Sequence, residues 1–210
     1  SDRVARLTAY QDGAYAKRYQ KLVQAAPAVL RDSVATSFYK LMAYKDEYEV
    51  ARLFVETGFF DRIASRFEGD FKLRFHLAPP LFSKRDAQGH LVKKSYGPWM
   101  ATACRVLSKA RVLRGSAFDI FGYTAERRAE RAAIGEFEAL MRQVAQQLTS
   151  ERSDAALAPA LALARLPQSV RGYGHVKEVH AVLARRRQQE LLDELAAVRE
   201  PEAPPARDAA

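Results

Sequence analysis

Tyrosine and charged side chains are concentrated between Tyr39 and Leu53, and this stretch is the richest in groups that could do chemistry. Its apolar residues keep helical spacing, so the stretch is predicted to be a helix. Glu49 and Arg52 are three residues apart, which places them for an ion pair along that helix. Two interpretations stay open: a buried or interdomain network, and a polar ligand site. The candidate network residues are Lys40, Tyr44, Lys45, Asp46, Glu47, Tyr48, Glu49 and Arg52.

Three further segments carry cations that could bind an anion. The first is the end of a predicted strand, the second is a glycine-containing connection between two helices, and the third is the start of the last predicted helix, whose N-terminus favours negative charge. Each has a structural alternative. These are a half-exposed imidazole, a loop that Asp119 orders by pairing with Arg114, Arg127 or Arg128, and a turn that binds only a neighbouring carboxylate. The candidate anion-binding residues are His76, Arg114, Arg127, Arg128, Arg171, His175 and Lys177.

The composition argues against a redox or metal centre in this chain. One cysteine and four histidines cannot supply the four-cysteine sets that hold iron–sulfur clusters. Neither a Gly-rich phosphate loop nor a dinucleotide fingerprint is present, and no nucleophile–base pair can be assembled from the sequence. We therefore predict no catalytic residue, no metal ligand and no cofactor here. Cys104 follows an apolar helical pattern and is predicted to lie in the core.

The charge balance indicates a protein partner rather than nucleic acid. The net charge is +9, from 34 Lys and Arg against 25 Asp and Glu, but both signs alternate along the predicted helices. Such mixed faces are typical of solvated surfaces and of protein docking. The lone cysteine, the lack of a secretory h-region and the absence of a membrane-length apolar run predict a cytoplasmic protein.

Periodicity predicts a mainly α fold with a small β-sheet or hairpin (α+β). We expect one helical domain over residues 1–200 and a disordered Pro- and Glu-rich tail at 201–210. The strand is predicted at Phe71–Leu77, where apolar and cationic residues alternate before Pro79-Pro80, and a hairpin or extended loop at 83–96. Predicted helices run from Val4 to Gln24, from Leu30 to Val55 with a stop at Gly58, and after Trp99. A long helix is predicted from a Thr124 cap, with a stripe of Ala133, Phe137, Leu140, Val144 and Leu148, and a short one over Asp154 to Ala164. The last helix is predicted from Gly174 and carries Val179, Val182, Leu183, Leu191, Leu192 and Leu195.

Six blocks of the sequence, in order, carry a family resemblance. The blocks are Tyr10–Ala16, Lys40–Leu53, Phe75–Pro80, Gly97–Met100, Phe121–Thr124 with Glu126-Arg127-Arg128, and Arg171–Glu178. Over about residues 3–195 the chain resembles the C-terminal region of the long, fused bacterial indolepyruvate ferredoxin oxidoreductases.

The resemblance implies a part of an enzyme that oxidatively decarboxylates aryl-pyruvates. That family uses thiamine diphosphate with Mg²⁺, coenzyme A and iron–sulfur clusters, and it passes electrons to ferredoxin. The motifs for those groups lie in other regions of the family, so the resemblance assigns no catalytic residue to this chain. It implies a non-catalytic domain, inactive alone, that packs against the catalytic domains or stabilises the dimer of the intact enzyme.

A second hypothesis belongs to a different class. The +9 charge and the three basic segments would also suit a free-standing module that binds an anionic ligand, either one like coenzyme A or a nucleic acid. Such binding would weaken steeply as the salt concentration rises.

Overall fold

The chain folds as a mainly helical protein with a small antiparallel sheet, which confirms the predicted fold class. A computed structural model describes residues 2–78, 92–150, 154–172 and 175–198, without the side chains of residues 150 and 175. The elements are α1 (Asp2–Tyr10), α2 (Gly13–Ala25), α3 (Arg31–Met42), α4 (Glu47–Glu56), α5 (Phe59–Ala64), β1 (Phe75–Leu77), β2 (Lys94–Tyr96), α6 (Trp99–Lys109), α7 (Ala125–Ser150), α8 (Leu157–Arg165) and α9 (His175–Ala197). Short 3₁₀ turns lie at Ala110–Leu113, Asp154–Ala156 and Leu166–Ser169.

The contacts divide the chain into two compact units. Unit 1 comprises residues 1–16 and 43–131, and unit 2 comprises residues 17–42 and 132–210. The boundaries fall inside α2, directly after α3 and inside α7.

Unit 1 has an aromatic core in which the small sheet covers helices α4 and α6. Phe75 pairs with Tyr96 in the antiparallel register of β1 and β2, and both side chains face this core. Phe54 packs edge-on against Phe75 at 5.9 Å between ring centroids. Cys104 is only 3% exposed among these residues, which confirms its prediction as a core residue, and burial raises the pKa of its thiol.

Unit 2 has a core of stacked rings and aliphatic side chains. The Phe38 ring stacks on Tyr19 and on Phe137, each at 6.0 Å between centroids. Helix α8 packs against both α3 and α9. The predicted stripe of α7 is confirmed at Phe137, Leu140 and Val144, all buried, and Leu191 and Leu195 of α9 are also buried.

Two of the predicted long helices are in fact pairs of helices, so those predictions were wrong. The helix predicted over Val4 to Gln24 is interrupted at Gln11-Asp12, where Asp12 Oδ1 accepts the amide of Tyr15 at 2.7 Å. The helix predicted from Leu30 to Val55 is interrupted over residues 43–46. In both cases a carboxylate binds the free amides of a new helix N-terminus. Periodicity did not reveal either break because helical spacing resumes directly after it.

One smaller prediction also needs correction. The strand is shorter than Phe71–Leu77, since only residues 75–77 pair with β2. In the last helix, the side chains of Val179, Val182 and Leu183 are exposed by 57%, 64% and 58%, unlike those of Leu191 and Leu195. Several predictions lie outside the described residues: Pro79-Pro80, most of the loop at 83–96 with His90, Gly174, and the tail at 201–210.

Candidate functional site

Helix α4 begins inside the polar stretch, and Asp46 caps its N-terminus. Asp46 is the N-cap of α4, in an extended conformation, and its Oδ1 accepts the amide of Glu49 at 2.8 Å. Thr124 makes the same kind of cap before α7, where its Oγ1 accepts the amide of Arg127 at 3.3 Å, as predicted. The Asp46 side chain is only 3% exposed, so its charge requires a partner inside the protein.

Arg114 is that partner, and the two side chains form a buried, two-pronged ion pair. Arg114 Nε lies 2.6 Å from Asp46 Oδ2, and Nη2 lies 2.9 Å from Oδ1. Nη1 donates to the Tyr10 carbonyl oxygen at 2.5 Å. Burial acts to lower the pKa of the Arg114 guanidinium, but the hydrogen bonds to Asp46 and the electrostatic effects of Tyr10, Asp46 and Tyr44 together outweigh it, and the pKa is raised. Arg114 therefore stays a cation within the protein.

Three tyrosines surround this ion pair. The Arg114 guanidinium carbon lies 3.7 Å from the centroid of the Tyr10 ring, close enough for a cation–π contact. The Tyr10 hydroxyl donates to the Tyr44 carbonyl oxygen at 2.8 Å. Burial, and secondly the negative charge of Asp46, raises the pKa of Tyr44 to about 12 and also raises that of Tyr10. Burial and then Asp119 raise the pKa of Tyr48. All three rings are uncharged near neutral pH.

A second buried carboxylate, Asp119, organises the connection between α6 and α7. Its Oδ1 accepts the Tyr48 hydroxyl at 3.2 Å and the Gly122 amide at 3.0 Å. Its Oδ2 accepts the Gly115 amide at 2.8 Å and Arg131 Nη1 at 3.1 Å. The prediction that Asp119 orders this loop through an arginine is confirmed, although the arginine is Arg131 and not one of those predicted.

Arg127 forms another buried set of ion pairs, beside the Asp46–Arg114 pair. Its Nη1 donates to Glu130 at 2.5 Å, and its Nε faces Glu47 Oε2 at 3.5 Å. Burial raises the pKa of Glu47, and the positive charge of Arg127 opposes the shift. On the outer side of α4, Arg52 forms the predicted pair with Glu49 through two bonds of 2.8 Å.

The predicted network residue Lys40 has a different role, in unit 2. Its Nζ donates to the carbonyl oxygens of Pro167, Gln168 and Val170 at 2.8, 3.2 and 2.7 Å. Burial, and then the positive charges of Arg171 and Lys177, lower the pKa of Lys40. The dense sequence block therefore contributes to both units, with Lys40 in one and Tyr44 to Arg52 in the other.

The remaining predicted anion-binding residues are placed as follows. His76 and Arg128 are exposed in unit 1, and Arg171 is exposed in unit 2. Lys177 is half-buried in the first turns of α9, while the side chain of His175 lies outside the description. Lys40, Arg171 and Lys177 are close enough for their charges to interact. Arg114 and Arg127 have internal carboxylate partners, so an anion would compete with Asp46, Glu47 or Glu130 for them.

The central ion pair could not be predicted from the sequence because its two members are far apart in the chain. Arg114 and Asp46 are separated by 68 positions, and Arg114 and the Tyr10 carbonyl by 104. Only the unusual density of tyrosine near Asp46 indicated partial burial. A bidentate pair between Arg18 and Glu138 in unit 2, at 2.7 and 3.1 Å, had no such signal.

This arrangement suits structural support better than reaction chemistry. Every oxygen of Asp46 and Asp119 accepts at least one internal donor, and both carboxylates are buried. Among the described residues, no group of three or more His, Cys, Asp and Glu side chains is arranged to hold a metal ion. No helix in that part of the chain is both long and apolar enough to span a bilayer.

The fold and the buried clusters define a mainly helical protein that is stabilised by internal ion pairs. The chain belongs to a family of unknown function, DUF6537, whose match covers residues 1–190. No curated protein and no solved structure matches the chain.

Proposed function

We propose that this chain is a non-catalytic packing domain of a cytoplasmic indolepyruvate (2-oxoacid):ferredoxin oxidoreductase. That class of enzyme decarboxylates aryl-pyruvates oxidatively. Thiamine diphosphate, Mg²⁺, coenzyme A and iron–sulfur clusters would be bound by its other regions, and ferredoxin would be the electron acceptor of the whole enzyme. The domain would pack against the catalytic domains and support assembly of the homodimer.

One observation carries the proposal: three of the resemblance blocks meet in one buried cluster of unit 1. Tyr10 from the first block contacts Tyr44 from the second, edge-on at 6.0 Å between centroids. Tyr48 from the second block meets Phe121 from the fifth at 5.3 Å. The tyrosines and charged residues of these blocks therefore make their contacts inside the protein. Buried contacts of this kind favour a rigid packing element over a reaction centre.

Removing the domain from the intact enzyme tests the proposal. The deletion is expected to lower the thermal stability of the remaining enzyme and to impair its dimerisation, and the isolated chain is expected to be inactive with indolepyruvate. The matched control is the full-length enzyme with Arg6→Met, which alters only an exposed pair with Asp2 at the surface. A deleted enzyme with unchanged turnover, stability and oligomeric state would contradict the proposal.

The second hypothesis, a basic module for an anionic ligand, draws support from one feature of unit 2. Lys40, Arg171 and Lys177 are near enough that the charges of the other two lower the pKa of Lys40. Arg171 and Lys177, beside the N-terminus of α9, would suit a phosphate group, while the Lys40 ammonium stays bound to its three carbonyl oxygens. Titration of the 210-residue chain with coenzyme A and with duplex DNA at low salt tests it. Binding that weakens as salt rises would support the module, and two flat titrations would exclude it.

A further inference from the structure

The connection between α6 and α7 in unit 1 presents large apolar side chains to solvent. Phe118 is 76% exposed, Tyr123 is 63% exposed and Ile120 is 57% exposed. Val112, in the preceding 3₁₀ turn, is 58% exposed. We call Val112, Phe118, Ile120 and Tyr123 the apolar loop. Single exposed apolar residues are common, but four large ones within twelve positions concentrate exposed apolar surface on one connection, and such concentrations mark binding surfaces.

The apolar loop is held in one conformation from inside. Asp119, which is buried, lies between Phe118 and Ile120 in sequence and binds the amides of Gly115 and Gly122. The Tyr123 hydroxyl donates to the Ala117 carbonyl oxygen at 2.8 Å, which fixes the ring over the segment that carries Phe118. A preordered aromatic residue loses little conformational freedom on binding. Such residues often supply most of the energy of a protein interface.

The charges beside the apolar loop indicate what kind of surface covers it. Lys109, at the end of α6, and Arg128, in the first turn of α7, are both exposed. Within the part of the chain that the structure describes, neither has a carboxylate partner. Two such loops from two copies would bring like charges together, which disfavours self-association. An apolar cleft with a carboxylate rim is the complementary surface.

We infer that the apolar loop is the docking surface through which this domain binds an acidic-rimmed apolar cleft on the catalytic part of the same enzyme. The inference rests on the proposed function and specifies the surface by which the packing occurs. Phe118 would enter the cleft as the anchor, and Arg128 would pair with the rim. Truncation of an anchor residue at a protein interface typically weakens binding by about 30-fold, which corresponds to about 2 kcal/mol, and we expect the same loss of docking affinity when Phe118 is truncated.

Amide hydrogen exchange at residues 116–123 tests the inference. The exchange is measured in the isolated 210-residue chain and in the full-length enzyme. We expect it to be at least about tenfold slower in the enzyme, because the docked loop opens less often. Phe118→Ser and Arg128→Glu in the full-length enzyme should each bring the exchange rate back toward that of the isolated chain. The control is Phe67→Ser, since Phe67 is also an exposed phenylalanine of unit 1, at 57%, and its replacement should leave the slow exchange unchanged.

The outcomes separate the inference from the proposed function. If deletion of the domain destabilises the enzyme but residues 116–123 exchange equally fast in both samples, the domain packs through another surface and the inference is wrong. An equal acceleration of exchange in the Phe67→Ser and Phe118→Ser variants would also contradict it. If deletion changes neither stability nor assembly, the proposed function itself fails.

Discussion

Replacing Arg114 by methionine is the most informative perturbation of unit 1. Methionine retains much of the volume of arginine but removes the guanidinium, which is 2% exposed and binds Asp46 through two hydrogen bonds. The Tyr10 carbonyl oxygen loses its donor at the same time. The Asp46 carboxylate stays buried with only the Glu49 amide as a partner.

The expected loss of stability is large. Removing one member of a buried ion pair costs about 3–5 kcal/mol, because the other charge remains buried without compensation. For a chain of this length, that loss corresponds to a fall of about 6–20 °C in melting temperature. Urea denaturation followed by circular dichroism measures the free energy of unfolding, and calorimetry measures the melting temperature. Arg6→Met is the control, since the Arg6 and Asp2 side chains are 64% and 73% exposed and the loss should stay below about 1 kcal/mol.

A double variant separates the charge effect from the packing effect. Asp46→Asn keeps a side-chain oxygen for the helix cap but removes the negative charge. Asp46→Asn combined with Arg114→Met should therefore cost less than the sum of the two single variants, by about 1–3 kcal/mol. A loss below about 1 kcal/mol for Arg114→Met, or strict additivity in the double variant, would refute the claim that this pair anchors unit 1.

Two further predictions concern the ionisation of Tyr44 and the replacement of two glycines. The pKa of Tyr44 is about 12 in the folded chain against about 10 in the unfolded chain. The contribution of the neutral Tyr44 to the free energy of unfolding is therefore fully present below about pH 10 and is lost as the pH rises from about 10 to 12. Absorbance of tyrosinate at 295 nm in the folded chain and in urea measures this, and identical titrations would contradict it. Gly122→Ala should cost about 1–3 kcal/mol, because a Cβ there would lie 2.4 Å from Asp119 Oδ2. Gly135→Ala, in open space on α7, should instead stabilise by about 1 kcal/mol, and equal effects of the two substitutions in urea denaturation would contradict the reasoning.

Local patterns predicted the parts of the fold that local interactions determine. The mainly α class, the Thr124 cap and the Glu49–Arg52 pair depend on residues within four positions of one another, so spacing reveals them. The buried position of Cys104 follows from the apolar pattern of its own helix.

The rest depends on contacts between distant parts of the chain. Asp46 caps a helix because Arg114, 68 positions away, neutralises its charge in the interior, and the helical spacing on both sides of Asp46 conceals the break. Val179 and Val182 are as apolar as Leu191 and Leu195 of the same helix, yet the first two are exposed and the last two are buried. Spacing within one helix does not reveal which part of it other elements cover. The exposure of the apolar loop could not be predicted for a related reason. Its sequence does not indicate that Asp119 is buried while Phe118 is exposed.

Complementation in trans tests the proposed packing role most directly. The full-length oxidoreductase lacking this domain is mixed with the separately produced 210-residue chain, and the dimer content, melting temperature and rate of ferredoxin reduction by indolepyruvate are measured before and after addition. The proposal predicts that wild-type chain restores the dimer and the melting temperature, whereas the Arg114→Met chain restores them poorly. A truncated enzyme that is already fully assembled and active, with no response to the added chain, would contradict it.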